Sequence, residues 1–326
     1  MLLFITRRLL WMLPVLWAAA TLIWILMFLI PGDPARILSG QSADPEVLAR
    51  VRTEWGLDQP APARYARYIA RLAHMDLGTS YVQHRPVTVI LREGLGRTFL
   101  LALCASALGL AIGVGLGLAC AARPGSGLDA AARIFSALNL ATPTFWMGMI
   151  LMLIFASWLR WLPVSGYGEG ITLGGFRLPG LAHLILPAVT LALFSSALLA
   201  RVARAALIEA RAQPYCTAAM ARGVTSGGAL SRHALKAAGA PIATLAGLSF
   251  GTLLGGAIAT ETVFAWPGLG LVILRAISVR DLPVVEGAAI SMTAIFLLVN
   301  LAVDLSYGLL DPRARGHAAR FRLSAD

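Results

Sequence analysis

Twenty-two consecutive residues, Leu9 to Ile30, carry no charged side chain, and the same holds for Thr98 to Ala122 and Ile134 to Leu159. Three further windows complete the set: His183 to Ala200, Ala237 to Thr260, and Gly287 to Val303, the last short but extendable at both ends. Runs of this length cross about 30 Å of hydrocarbon when helical. Lipid offers the backbone no water, so each crossing segment has to close its own hydrogen bonds, and continuous rather than alternating apolarity excludes a strand barrel. The expected fold is an all-α integral membrane protein with six transmembrane helices. Composition agrees, with 58% of the 326 residues hydrophobic and only 13% charged, about half the charged share of a soluble domain.

Arg7 and Arg8 precede the first window, which is too long for the apolar core of a cleaved signal and reads as a retained span. The formal charge of +11 is almost all arginine, Lys236 being the sole lysine. These arginines sit in loops between apolar runs and form no aromatic-basic module, so the charge orients the chain in a lipid bilayer and does not serve nucleic acid. With the N-terminus inside, the inner segments carry fourteen basic residues and the short outer loops four: Arg160, Arg177, Arg275 and Arg280. Both termini are expected to be cytoplasmic. The nine arginines from Pro31 to Arg97 lie in an outer segment too long for that rule, beside seven carboxylates.

That outer segment has its own helices. Asp44 is placed to cap a helix that starts at Pro45, with Val47, Leu48, Val51 and Trp55 as an apolar stripe and Gly56 at its end. A second helix carries Tyr65, Tyr68, Ile69 and Leu72 on one face and Arg64, Arg67 and Arg71 on the other, suited to lipid headgroups or to another protein. The expected organisation is residues 1–96 as the first span plus this amphipathic segment, 97–312 as a five-helix core with a cytoplasmic loop at 208–240, and 313–326 as a basic cytoplasmic tail.

Catalytic chemistry is hard to place. A phosphate-cradling loop ends in Gly-Lys-Ser/Thr, but Lys236 follows Leu235 and precedes Ala237. The five histidines are scattered, no metal-ligand spacing occurs, and Cys104, Cys120 and Cys216 form no Cys-x-x-Cys pair. No enzyme activity, cofactor or metal is expected. Glu261, Glu286 and Asp304 lie at span ends, where headgroup contact or helix capping is the ordinary reading, so an ATP-independent secondary transporter lacks the midplane carboxylates it needs. Asn139, Thr142 and Ser249 suit either a pathway lining or polar contact between helices.

The remaining stretch, "QPYCTAAMARGVTSGGALSRHALKAAGAP" at 213–241, is too polar to span. Pro214 can start a short helix kept narrow by Ala218, Ala219 and Ala221 and ended by Gly223. A second short helix, about Gly228 to Ala238, would then hold Arg232, His233 and Lys236 near its C-terminus. Physics alone leaves a plain connector and a docking element equally open.

The run Tyr215-x-x-Ala218-Ala219-x-Ala221-Arg222-Gly223, followed by Arg232-His233-Ala234-Leu235-Lys236 and Pro241, resembles the cytoplasmic coupling loop of ABC importer permeases of the dipeptide/oligopeptide/nickel branch. Pro31-Gly32-Asp33-Pro34, Gly56-Leu57-Asp58-Gln59-Pro60 and Asp76-Leu77-Gly78-Thr79-Ser80 extend the likeness through the N-terminal half. Pro143-x-Phe145-Trp146-x-Gly148, Glu261-Thr262-Val263-Phe264-x-x-Pro267-Gly268-Leu269-Gly270 and Leu310-Asp311-Pro312-Arg313 continue it.

The resemblance implies a type I importer permease fold in a bacterial inner membrane. It implies four kinds of partner: a second homologous permease subunit, two cytoplasmic ATP-binding subunits, an extracytoplasmic solute-binding protein and the lipid. Small peptides are the default solute, with nickel, glutathione-like conjugates and opine-like solutes as alternatives. Coupling to the ATPase would fall to Tyr215, Ala218, Ala219, Ala221, Arg222, Gly223, Arg232 and His233. Thr217 stands where the broader importer motif has glutamate, which removes any salt bridge made from that position.

Overall fold

The computed structural model of the chain describes residues 2–29, 44–170, 172–173 and 176–310. The motif at Pro31 to Pro34, the Asp311-Pro312-Arg313 run and the tail 313–326 lie outside them. Among the described residues, five helices are long and apolar enough to cross a membrane: Ile5–Leu29, Val87–Ala122, Leu181–Arg211, Ser226–Gly255 and Leu282–Ala302. A bent pair, Gly127–Ala141 and Thr144–Trp158, makes a sixth if taken as one broken span.

That break corrects the expectation of an unbroken helix from Ile134 to Leu159. The two halves meet at 108°. Pro143 has no N–H to give and disfavours a helical residue before it, and Thr142 accordingly turns extended (φ −92°, ψ 128°). A small departure from an all-helical chain is a pair of two-residue strands, β1 (Thr172–Leu173) and β2 (Phe176–Arg177), joined antiparallel with Thr172 opposite Arg177.

The helices run α1 (Leu2–Leu29), α2 (Pro45–Glu54), α3 (Ala61–Ala73), α4 (Val87–Ala122), α5 (Gly127–Ala141), α6 (Thr144–Trp158), α7 (Leu181–Arg211) and α8 (Pro214–Ala221). They continue as α9 (226–256), α10 (Ile258–Val263), α11 (Leu269–Ser278) and α12 (Leu282–Leu310). The chain divides into two compact units, one of residues up to Thr98 together with Pro267–Leu297 and one of Phe99–Trp266 together with the residues from Leu298 onward.

In the first unit the sequence signals at α2 hold. Asp44 caps it, accepting from the Glu46 N–H at 3.1 Å, and Pro45 opens it. The helix α3 packs against α1 of the same chain: the Tyr65 hydroxyl meets Thr21 Oγ1 at 2.7 Å, and its ring sits edge-on to Trp24 of α1, centroids 5.3 Å apart. Tyr68, expected on the face away from the arginines, is buried beside Arg64 and Arg71 instead. Its spacing allows this, since 64, 67, 68 and 71 share one helical face. A buried hydrogen bond of 2.5 Å from Ser80 Oγ to Asp281 Oδ2, with the Tyr81 N–H also donating to Asp281, pins the loop before α4 to the α11–α12 turn. Thr98 Oγ1 accepts from the Leu269 N–H at 2.8 Å and so satisfies a donor at the start of α11.

The second unit rests on close helix approach. Gly109, Gly113 and Gly117 recur every four residues along α4 and face Ser195, Leu199 and Ala203 of α7, which share that spacing. A Cβ on Gly113 would fall 2.6 Å from Leu199 Cβ and 2.9 Å from the Ser196 carbonyl oxygen. Lipid gives helices no hydrophobic reason to associate, so backbones brought together by small residues supply van der Waals contact instead. Glu261, expected at a headgroup or helix cap, lies in the first turn of α10 and is wholly buried.

Gly113→Leu should therefore force α4 from α7 against rigid backbone, at a cost of about 1–3 kcal/mol or more, whereas Gly115→Leu, with nothing within 4 Å of its Cβ, should be tolerated. Thermal unfolding midpoints in detergent check this, with a marked drop expected only for Gly113→Leu.

Candidate functional site

The segment from Arg211 to Leu235 is built from its turns upward. Pro214 opens α8, where its missing N–H costs nothing, and Gln213 precedes it in extended conformation. At the other end Gly223 adopts φ +91°. The Gly223 N–H donates to Met220 O at 2.9 Å and the Val224 N–H to Ala219 O at 3.2 Å, the paired bonds of a Schellman end. Thr225 then caps α9, its Oγ1 accepting from the Gly228 N–H at 3.2 Å.

One departure from the sequence expectation matters. The second short helix does not exist as a separate element: α9 runs on through Gly256, with a π-helical turn at Ala229–Ala234. Nothing between Ala234 and the span stops an alanine-rich helix, and Pro241 is absorbed within it. Arg232, His233 and Lys236 consequently lie in its early turns, away from the C-terminal dipole that was expected to favour them. A helix of 30 residues, Ser226–Gly255, is about 45 Å long, longer than a hydrocarbon layer of about 30 Å requires.

Two side chains root α8 in the protein. Cys216 is wholly buried and Ala219 nearly so. Cys216 joins an apolar cluster with Ala121 of α4, Leu207 and Ala210 of α7, and Leu230 and Ala234 of α9. Tyr215, Ala218, Ala221, Arg222 and Gly223 are exposed, as are Arg232 and His233 on α9. No atom lies within 4 Å of where a Cβ on Gly223 would be. The eight residues expected to act together thus separate into one anchor, Ala219, and seven that face outward.

Arg211 was not singled out from the sequence. Its guanidinium donates to the carbonyls of Ala121 at 2.9 Å and Ala122 at 3.3 Å and to Ser226 Oγ at 3.1 Å. It thereby ties the end of α4, the last turn of α7 and the first turn of α9. A second cross-link joins α5 to α7: Arg204 donates from Nε to Asp129 Oδ1 at 2.5 Å and from Nη2 to Oδ2 at 2.8 Å. Asp129 also accepts from the Gly125 N–H, and its carboxylate is nearly inaccessible. Such a bidentate pair fixes helix register as well as charge. Its sequence signal was present, a Ser-x-x-Asp helix start at Ser126, but the partner 75 positions away was not.

A cleft of about 690 Å³ opens beside the α5–α6 break. Thr142, Thr144, Phe194, Ser195, Ser249 and Thr252 are among its walls, and no charged side chain lines it among the described residues. Thr142 Oγ1 donates to Leu138 O and Asn139 Nδ2 to Phe135 O, so both bond within their own helix and not across to a neighbour. Among the described residues no group of three or more His, Cys, Asp or Glu is placed to hold a metal.

Comparison with known proteins fits this geometry. Residues 113–316 match the model of the binding-protein-dependent transport system inner membrane component, and residues 1–102 match that family's N-terminal membrane component. The chain is 36% identical over 315 residues to "Probable peptide ABC transporter permease protein" of Sinorhizobium fredii, covering 96% of this chain and 99% of that protein. It is 35% identical to the glutathione transport system permease protein of Pectobacterium atrosepticum, with 97% and 99% covered. A solved structure of the MetNI methionine ABC transporter in inward-facing conformations matches with a TM-score of 0.52 and 18% identity, covering 69% of this chain and 97% of that one; it supports the fold.

Arg211→Ala removes three hydrogen bonds from a half-exposed guanidinium, and a loss of about 1–2 kcal/mol is expected. Limited proteolysis should then cut within 212–226 faster than in the unaltered protein, while the remaining loops keep their cleavage rates.

Proposed function

Because the chain belongs to the family of binding-protein-dependent transport system inner membrane components, we propose that it forms half the transmembrane pathway of an ATP-driven importer, with α8 as the element through which the ATPase moves it. It is a multi-pass inner-membrane protein and an ABC importer permease. Hydrolysis falls to separate subunits, since the chain has no phosphate-binding loop of its own.

The observation that carries this reading is the two-sided character of α8. Its outer face carries the small side chains Ala218 and Ala221, with Gly223 just past its end, beside the larger Tyr215 and Met220, so a partner's surface can come close at the small positions. Its inner face holds the buried Ala219 and Cys216, the latter set into a cluster shared with α4, α7 and α9. A displacement of α8 is therefore a displacement of those helices, because a close-packed interior shifts as a body and does not absorb strain locally. An ATPase that binds its own two states differently biases the permease between inward- and outward-open forms.

Small peptides are the proposed cargo, in keeping with the names of relatives that carry peptides and glutathione. The uncharged cleft beside the α5–α6 break has the volume of a small-molecule site and suits a backbone-rich solute whose side chains vary. The full assembly would comprise this chain, a second permease, two ATPase subunits and an extracytoplasmic solute-binding protein.

Ala218→Trp and Gly223→Trp test the coupling role. A docking penalty of about 1.4 kcal/mol lowers occupancy about tenfold, so uptake into proteoliposomes should fall by about that factor or more while the amount of inserted permease is unchanged. Ala219→Trp, in contrast, should reduce the inserted protein itself. Uptake that persists in both outward-facing variants would remove α8 from the drive mechanism.

A further inference from the structure

In the first unit, the motifs Gly56 to Pro60 and Asp76 to Ser80 surround α3, and the coupling mechanism makes no use of them. Gly56 and Leu57 of the first motif border a cavity of about 80 Å³ lined also by Arg64, Arg67, Tyr68 and Arg71 of α3 and by Tyr81 and Glu286, and Gly78 of the second lies against Arg71. The glycines are what admit the arginines. A Cβ on Gly56 would lie 2.5 Å from Arg67 Nη1, and one on Gly78 would lie 3.2 Å from Arg71 Nη1. The wall is stiff: Trp55 stacks flat on Tyr81, centroids 4.0 Å apart, and the residue before Tyr81 is held by the Ser80–Asp281 bond.

Charge and hydrogen bonding in this cavity do not balance. Three guanidinium groups, with Arg67 exposed and Arg64 and Arg71 half-buried, face a single carboxylate, leaving an excess of two positive charges around a partly open cavity. No ion pair or side-chain hydrogen bond joins Arg64, Arg67, Arg71 or Glu286 to another described residue. The Tyr68 hydroxyl and Arg71 Nε are buried without a hydrogen-bond partner among those residues, although Tyr68 is only 5% exposed. Burial first, and the Glu286 charge next, push the Tyr68 phenol well above its ordinary range, so it keeps its proton and remains a donor. Buried donors left unmade cost about 1–3 kcal/mol each, and guanidinium groups held together repel unless an anion sits among them.

We propose that this cavity is a binding site for one small anion, no larger than a carboxylate, held by Arg71, Arg64 and Arg67 with Tyr68 as a neutral donor. The volume is that of two or three water molecules at about 30 Å³ each, which admits chloride or acetate and excludes a peptide. Bound there, the anion fastens α3 to the loops at Gly56 and Gly78 and to the start of α12, so it stabilises the unit that carries the outer segment. Glu286 limits affinity by its own charge.

The test is thermal unfolding of the purified full chain in detergent as sodium gluconate is exchanged for sodium chloride or sodium acetate at constant ionic strength. A saturable rise in midpoint is expected, since a ligand that binds only the folded state stabilises it as its concentration passes Kd. Arg71→Gln should raise the apparent Kd at least about tenfold, the loss of one charge-assisted contact, and Glu286→Gln should lower it. Tyr68→Phe should melt no earlier than the unaltered protein in gluconate, because it removes an unpaired hydroxyl, yet gain less from chloride or acetate. If Arg71→Gln does not fold, Arg67→Gln takes its place in the same comparison. A midpoint indifferent to both anions up to about 100 mM, or an equal rise in every variant, would mean bulk salt alone acts and would overturn the site.

Discussion

Three glycines on α4 set how near α7 can come, and the packing of the second unit depends on that contact. With Gly109, Gly113 and Gly117 against Ser195, Leu199 and Ala203, the two backbones run close enough for dispersion to do what hydrophobic exclusion does in water. The apolar cluster that receives Cys216 continues from the same faces, through Ala121 at the end of α4 and Leu199, Ala203 and Leu207 along α7. The seat of α8 is thus an extension of the helix contact and moves with it.

Polar groups in this unit fix register where small residues give closeness. Asp129 and Arg204 hold α5 to α7 by a two-point ion pair, and Arg211 gathers two carbonyls from the end of α4 and a hydroxyl from the start of α9. Both guanidinium groups satisfy acceptors that would otherwise end at helix termini or in a buried carboxylate. The cleft beside the α5–α6 break, by contrast, is lined without charge among the described residues. Among the described residues, structural charge sits away from this cleft and not in its walls.

How far this was legible in the sequence depends on the range of the interaction. Local chemistry read well: Asp44 and Pro45 start α2, Pro214 starts α8, Gly223 ends it in the left-handed region, and long charge-free windows become helices. The break at Thr142–Pro143 was also local, yet a continuous apolar run masked it, since hydropathy does not register a missing N–H. Contacts between distant residues were hidden. The Arg204–Asp129 pair, the Arg211 fan and the burial of Tyr68 beside Arg71 are set by which helices meet. The glycine spacing on α4 stands in the sequence but was not singled out there, because nothing local names α7 as its partner. Within the candidate site, spacing placed the short helix but not its sidedness, so Ala219 read as a docking residue when it is an anchor, and Cys216 was passed over.

The coupling role of α8 is tested most directly by proximity in the assembled transporter. A photo-crosslinking amino acid in place of the exposed Met220, in permease purified with its partner subunits, should give on illumination a covalent adduct with the ATP-binding subunit, and its yield should change between the nucleotide-free and ATP-bound states. An adduct with lipid or the other permease only, or none with the ATP-binding subunit in either state, would contradict transmission through this helix.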